Sequence, residues 1–363
     1  MSDLNQNMKK WRKQNYLDSH MSPGLKAYLE ECWNKYTPGV NVEALCYNTY
    51  SNVHNRGGRR KKCAASVCSL LQALAGLNRP ASIQVTGTPE EIQETEQLFR
   101  TRFNVVKDGS LWPFSAQLLG RLADECSQNR DLRKAMEENF IHFRCNRGPG
   151  KRRLYMSVKG DRRKNVAQWI NSRFLYWGNL DNWKVSVPSG NWSRIDTFIL
   201  YFSDDVGRQR CIDDLKEYQA KAENRMHFRP EHPHMLKKVE DLMGIATGDE
   251  PICKLEMMYD TKNRVVLAPV EASGAASFGS YRAKIIAAAM TLTKDKGEDK
   301  DTFLRRAGCF LELGGVNPMH PDKNADPHKL IKLANRVVKE AGPRQMPIKT
   351  SKDLIRIRQD EFA

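Results

Sequence analysis

No apolar run in this chain approaches the roughly 20 residues needed to cross a bilayer, so no membrane partner is expected. The first twenty residues, MSDLNQNMKKWRKQNYLDSH, lack the apolar core of a secretory leader. A cytoplasmic protein is therefore expected. The nine cysteines are scattered and never form a CxxC pair. That spacing argues against a zinc knuckle and a disulfide framework, and no metal site is expected. No GxxxxGK[ST] motif follows a strand, which excludes a P-loop. No segment repeats. Acid is the charge in short supply: 43 Asp and Glu face 59 Lys and Arg, leaving a net charge of +16.

What is present is a chain of 363 residues with 40% hydrophobic content. That is enough for a substantial core and two domains at ordinary domain sizes. The positive excess favours an anionic partner: nucleic acid, a phosphorylated protein or an acidic peptide. Charge alone does not choose among them.

The chain divides by pattern. Residues 1–21 read as a flexible basic leader. Residues 22–138 read as a mainly helical N-terminal region, with helices expected over Pro23–Lys35, Val42–Val53, Ala64–Leu77, Thr88–Arg102, Leu118–Cys126 and Leu132–Asn139. The Thr88-Pro89-Glu90-Glu91 start is a capping box with proline at the first helical position. GGRRKK at Gly57–Lys62 is either a solvated helix start or a phosphate-binding nest. From residue 139 to 345 strands and helices mix, giving an α+β fold for this part. Phe140–Asn146 and Arg153–Val158 read as a hairpin around the turn RGPGKR. A helix over Asn165–Trp177 follows, then strands Trp183–Val187 and Ile195–Phe202. Helices are expected over Asp205–Ala222, Met235–Leu242, Ser277–Thr293, Thr302–Leu311 and Lys329–Glu340. Strands are expected over Lys254–Met258 and Val265–Ala268, and residues 346–363 form a tail.

The chemistry-bearing residues concentrate between Arg152 and Tyr201. Period-two alternation puts His142 with Arg144 on one strand face, and Arg153 with Tyr155 on another. From Arg144 to Lys164 there are nine Lys and Arg residues against one acid, Asp161. Such a potential holds an anion, though most of these charges, taken singly, are expected to be solvated. Lys184 lies inside the apolar strand W-K-V-S-V. Burial and neighbouring arginines lower a lysine pKa and make it usable as a general base. The plain alternative is a lysine that passes Trp183 to reach water. Tyr201 ends the apolar run F-I-L-Y and is either a core aromatic or a phosphate-facing hydroxyl. Arg194, seven residues earlier, is either a phosphate ligand or a solvated strand end. In S-F-G-S-Y-R, Ser277 can cap a helix while Arg282 faces an anion at its first turns. An ordinary loop and cap fit this segment equally well.

In order and spacing, R-L-Y-M-S-V, D-N-W-K-V and F-I-L-Y resemble the phosphothreonine lyase effectors of bacterial pathogens. There the first strand carries K-x-H, followed by D-x-W-K and a T-L-Y strand. Three further marks are similar to the HopA-type effectors of plant pathogens and the lyases of class V lanthipeptide clusters. They are S-F-G-x-x-R at Ser277–Arg282, G-V-N-P-x-x-P-D at Gly315–Asp322 and, more loosely, F-I-H-F-R at Phe140–Arg144. The resemblance covers about residues 139–325. It implies a phosphothreonine-lyase-like domain that removes the α-proton of a phosphothreonine or phosphoserine, expels phosphate and leaves a dehydroamino acid. It implies no metal and no organic cofactor. By position Lys184 is the base, Arg153 replaces the first-strand lysine, and Arg194, Tyr201 and Arg282 hold phosphate; Arg144 and Arg153, on the basic strand faces, are expected to bind phosphate with them. The family's acid histidine falls on Tyr155. A phenol with an ordinary pKa of about 10 is a weaker acid than imidazolium, although cations lower it. His142 is the other candidate acid.

Three functions stand at this point. The first is a lyase acting on a phosphorylated peptide or protein, with a kinase as candidate partner. The second is a non-catalytic phosphopeptide-binding effector on the same scaffold. The third is a basic nucleic-acid-binding protein, weakened by the absence of a recognised motif and of aromatics interleaved with the basic run.

Overall fold

A computed structural model describes residues 9–11, 13, 16–51, 54–55, 60–145, 150–189, 192–251, 253–259, 265–271, 277–324 and 345–347. The expected helix over Lys329–Glu340, the residues Gly57–Arg59 of the basic cluster and most of the C-terminal tail lie outside them. Among the described residues no helix is long and apolar enough to cross a membrane.

The chain forms two compact units. One comprises residues 52–233 and 238–247, and the other comprises residues 1–51, 234–237 and 248–363. The helical stretch expected over 22–138 therefore contributes to both.

In the first unit a pair of short strands, β1 (His54–Asn55) and a later partner, forms a two-stranded sheet of its own. The main sheet takes β2 (Ala81–Gln84), β3 (Trp112–Phe114), β4 (Phe140–Arg144), β5 (Arg152–Met156) and β6 (Leu180–Ser186). The partner of β1 is β7 (Trp192–Ser193); then come β8 (Phe198–Phe202), β9 (Lys237–Lys238) and β10 (Ile245–Asp249). The sheet order is β3-β2-β4-β6-β8-β5-β10-β9. With this sheet beside many helices, the fold is α+β, as expected.

The expected β4–β5 hairpin does not form. β4 pairs with β6, β5 pairs with β8, and β6 pairs with β8, all antiparallel. The two most apolar strands thus take the centre, and the strands that carry the arginines flank them. This follows from burial: W-K-V-S and F-I-L-Y-F lose the most on exposure to water.

Under one face of the sheet pack the helices Arg60–Ala75, Ala116–Gln128, Arg163–Trp177 and Asp205–Ala220. The core between them includes Ile141, Phe143, Leu154, Met156, Trp183, Val185, Phe198, Leu200 and Phe202. Each such large apolar side chain stabilises the fold by roughly 1.5–3 kcal/mol when fully buried. Local chemistry sets the helix ends. The Thr88 hydroxyl accepts from the Glu91 amide, the Glu91 carboxylate accepts from the Thr88 amide, and Pro89 leads the helix Pro89–Phe103. Asp204 caps the helix Asp205–Ala220 through the Gly207 amide at 2.9 Å.

The helix expected over Met235–Leu242 is absent. Met235 and Asp241 hold φ values of 64° and 66°, a left-handed backbone that interrupts a right-handed helix. The segment instead forms β9 and a turn.

In the second unit the helices Pro23–Lys35, Val42–Tyr50, Phe278–Asp295 and Lys300–Leu313 pack together. Beside them are a sheet of β11 (Cys253–Tyr259), β12 (Val265–Glu271) and β15, and a hairpin of β13 (Val316–Asn317) and β14 (His320–Asn324). The strand β15 spans Gln345–Pro347. The helix Phe278–Asp295 is buried along most of its length, and its small run Ala287-Ala288-Ala289 fits that crowding. The leader expected to be flexible contributes core residues here. Trp11, Leu17 and Met21 are buried, and Trp11 Nε1 donates to Glu312 Oε2 at 2.8 Å. Its apolar side chains, few but large, outweigh the basic composition that suggested a free arm.

Candidate active site on one sheet face

Alternation along the central strands turns one set of side chains into the helix-packed core and the other set to the opposite face. Phe140, Tyr155 and Ile199 are buried yet fall outside the core cluster, which marks that second face. Register then aligns its residues into two rows across four strands. In one row His142 faces Lys184, Lys184 faces Ile199, and Ile199 faces Tyr155. In the next row Arg144 faces Asn182, Asn182 faces Tyr201, and Tyr201 faces Arg153. Neighbouring strands lie about 4.8 Å apart, so Lys184 and Tyr155 are separated by roughly 10 Å at the backbone. Seven of the eight residues picked out from the sequence belong to this unit. Six of them, His142, Arg144, Arg153, Tyr155, Lys184 and Tyr201, share this face.

Within the rows the contacts are specific. Arg153 is buried and donates through NH1 to the Tyr155 hydroxyl at 3.2 Å. Its guanidinium carbon also lies 4.9 Å from the centre of the Tyr201 ring. Lys184 is half-buried, with Nζ 4.4 Å from the centre of the Phe140 ring. Trp183, which precedes it, points to the other face and stacks on Phe143 at 4.5 Å. The lysine does not run past that tryptophan.

His142 Nε2 lies 3.0 Å from Gln84 Oε1, an acceptor, which favours the Nε2–H tautomer. Burial, with the Lys184 charge beside it, pulls the His142 pKa down to about 3. The ring is therefore neutral at physiological pH and holds no extra proton to give.

Arg194 approaches from the start of the segment leading into β8. Its guanidinium makes a two-pronged pair with Asp196, Nε to Oδ1 at 3.0 Å and NH2 to Oδ2 at 2.8 Å. Its guanidinium carbon lies 4.9 Å from the Phe140 ring centre. Glu138 stands 4.0 Å from Arg194 Nε. Burial pushes the Glu138 carboxyl up to about 7, against the pull of Arg194 and Arg163.

Arg282 belongs to the other unit and is fully buried there. It donates through Nε to the Pro321 carbonyl at 3.1 Å, through NH1 to the Phe278 carbonyl at 3.4 Å, and lies 3.5 Å over the Phe278 ring. S-F-G-x-x-R and G-V-N-P-x-x-P-D are thus physically joined by one arginine. Ser277 occupies the cap position of this helix without a side-chain cap bond.

Four contributors escape a reading of the sequence. Asp181 sits in an irregular step of β6 between Leu180 and Asn182 and is buried. Its carboxylate accepts from the Gly150 amide at 2.8 Å and from the Ser203 hydroxyl at 2.8 and 2.7 Å. Gly150 has φ 60°, and a Cβ there would come within 3.0 Å of Tyr201 Cβ, so only glycine suits the position. Asp181 therefore ties the entry of β5 to the end of β8. Asn182 occupies the variable position of D-x-W-K, half-buried beside Tyr201. Phe140 opens the looser F-I-H-F-R mark, and Glu138 lies two residues before it. Period-two alternation could have found Phe140 and Asn182; nothing in the sequence points to Asp181 or Glu138. Among the described residues no group of three His, Cys, Asp or Glu side chains could hold a metal ion.

No protein-family model matches the chain, and no curated protein matches it in sequence. Among solved structures it is similar to the effector protein from Pseudomonas syringae pv. tomato strain DC3000, with a TM-score of 0.50 and 13% identity over 84% of this chain and 96% of that one. It is also similar to the effector protein from Pseudomonas syringae pv. syringae strain 61, with a TM-score of 0.49 and 16% identity over the same shares. The first likeness shows a shared fold.

Proposed function

We propose that this protein, which shares its fold with a bacterial effector, is a phosphothreonine or phosphoserine lyase acting on a peptide or protein. One observation carries the reading: Lys184 and Tyr155 occupy the same cross-strand row, and Arg153 donates to the Tyr155 hydroxyl from the row beside it.

The chemistry follows from these positions. Lys184, as the free amine, takes the α-proton of the phosphorylated residue. The electron pair left on Cα forms the Cα–Cβ double bond as the Cβ–O bond breaks. Tyr155 gives its proton to the departing phosphate oxygen, and the Arg153 contact stabilises the phenolate that remains. Arg153, Arg144 and the Tyr201 hydroxyl bind the phosphate as its charge grows. His142, neutral and bonded to Gln84, is a support for the row rather than the acid. Arg194 acts from behind, through Phe140 and Asp196. Arg282 acts by bracing the S-F-G-x-x-R and G-V-N-P-x-x-P-D segments against each other.

A non-catalytic phosphopeptide-binding function is the second reading. It is favoured by the two-pronged Arg194–Asp196 pair, which occupies a cation that the resemblance assigns to phosphate.

The test is mass spectrometry of a phosphothreonine and phosphoserine peptide library incubated with the protein. Loss of phosphoric acid, leaving a residue that captures added thiol, supports the lyase. Binding without that loss supports the second reading and defeats the first.

A further inference from the structure

One extra residue in β6 decides where Asn182 points. In an unbroken strand Leu180 and Asn182 would share a face, because alternate residues do. Here they do not. Leu180 pairs with Phe202, and both lie in the core under the helices, whereas Asn182 pairs with Tyr201 on the opposite face. The register slips between Leu180 and Asn182, with Asp181 as the extra residue. Such a bulge re-aims the side chain beside it.

The slip is fastened on both sides of the strand. The Asp181 carboxylate accepts from the Gly150 amide at 2.8 Å and from the Ser203 hydroxyl at 2.7 Å. The Asp181 carbonyl accepts from the Cys145 amide at 2.8 Å. A buried carboxylate is thus committed to an irregular step whose result is the placement of Asn182.

That placement is the middle of the basic row. Arg144 lies across from Asn182 on β4, Tyr201 lies across from it on β8, and Arg153 follows on β5. Lys184 stands on the same face, two residues along the strand and roughly 7 Å away at the backbone. The Asn182 side chain is half-buried, and among the described residues none hydrogen-bonds its amide. A side-chain amide offers N–H donors on a short stem, close to the floor of the sheet. The two arginines arrive from the flanks on long stems. A phosphoryl group attracted by both comes to rest over the middle of the row, where Asn182 is the donor beneath it.

We propose that Asn182 is a phosphate ligand, its side-chain amide donating to a phosphoryl oxygen held between Arg144 and Tyr201. This rests on the phosphate site that the lyase and the binding-only readings share, and not on elimination itself.

The experiment uses the full-length parent with Asn182→Ala, Asn182→Ser and Asn182→Asp. The probe is a peptide whose phosphothreonine is replaced by its phosphonate analogue. A methylene stands there for the bridging oxygen, so no phosphate can leave during the titration. The same peptide with an unmodified threonine is the control, and isothermal calorimetry reads both. Urea midpoints confirm that each variant is folded. Asn182→Ala should weaken the phosphonate peptide about tenfold, and Asn182→Ser, which keeps a short donor, should recover part of that. Asn182→Asp has the same shape but sets a negative charge against the phosphonate, and should lose about 100-fold or more. Affinity for the threonine peptide should stay within about twofold throughout.

A parent that prefers the phosphonate peptide, with Ala and Asp variants that bind it equally well, overturns the proposal alone. So does an equal loss for both peptides, which would assign Asn182 to the peptide chain or the fold. A parent that does not distinguish the two peptides defeats the phosphate site and the proposal with it. The expected losses in a parent that eliminates no phosphate from the phosphothreonine peptide support Asn182 as a ligand and defeat the lyase reading alone.

Discussion

Arg153 and Tyr155, two residues apart on one strand, are joined side chain to side chain by a 3.2 Å hydrogen bond from guanidinium to phenol. The same guanidinium covers the ring of Tyr201 on the neighbouring strand. A single buried cation therefore serves the proposed acid and the proposed phosphate ligand together.

That coupling separates two variants. Tyr155→Phe should lower the rate of elimination by about 10²-fold or more, with phosphopeptide affinity nearly unchanged. Arg153→Gln should lower both, because it removes a phosphate contact and the support of the phenol. Combining them should cost far less than the sum, measured as a double-mutant cycle in kcat. Full additivity would mean that the two side chains do not act as a pair.

Lys184→Ala should abolish elimination while leaving phosphopeptide affinity within a few-fold of the parent, since the base acts on Cα and not on phosphate. Isothermal calorimetry and product mass spectrometry read the two properties separately. Retained turnover would remove Lys184 from the role of base.

Asp181→Ala leaves the Gly150 amide and the Ser203 hydroxyl without their buried acceptor. A loss of about 2–3 kcal/mol in stability is expected from urea unfolding. Phosphate affinity should fall as well, because Gly150 lies close against Tyr201. A fall in stability with affinity untouched would show that Asp181 serves the fold alone.

Glu138 and His142 should make stability depend on pH in opposite senses. The Glu138 carboxyl is pushed up to about 7 from 4.5, so the folded chain keeps a proton that the unfolded chain has lost. Its contribution is complete below the unfolded value and is lost as pH rises through about 7. His142 is pulled down from 6.5 to about 3, so its contribution is complete above 6.5 and is lost as pH falls towards about 3. Glu138→Gln should therefore stabilise the protein near neutral pH, on the order of 1–3 kcal/mol. His142→Asn should flatten the loss on the acid side. Urea midpoints collected across that range test both; variants that run parallel to the parent would contradict the assignment.

Some of this molecule could be read from its residues because the deciding forces are local. The Thr88 capping box, Pro23 and Pro89 at helix starts, and the alanine-rich helix after Ser277 all act within one turn of chain. Alternation likewise put His142 with Arg144, and Arg153 with Tyr155, on shared faces. The strands β2 and β3 were not foreseen. A-S-I-Q is short and half polar, and W-P-F carries a proline that ordinarily argues against a strand; β3 tolerates it as an edge. The pairing of β4 with β6 was not foreseen either. Neighbours in sequence were expected to pair, and burial of the two most apolar strands at the centre decided otherwise. Asp181 and Glu138 owe their roles to partners far along the chain, which no local pattern contains.

The unit that holds the proposed site is set into the other one as an insertion: residues 1–51 belong with residues 248–363, and 52–233 intervene. This has a consequence for synthesis on the ribosome. The early helices emerge first but complete their core last, because Trp11 waits for Glu312 and the helix Val42–Tyr50 waits for Phe278–Asp295. The inserted unit, with its sheet nearly whole by Thr247, can fold while the first fifty residues still expose their apolar faces. Those faces, rather than the chemistry of the sheet, are where a nascent chain of this protein most needs a chaperone.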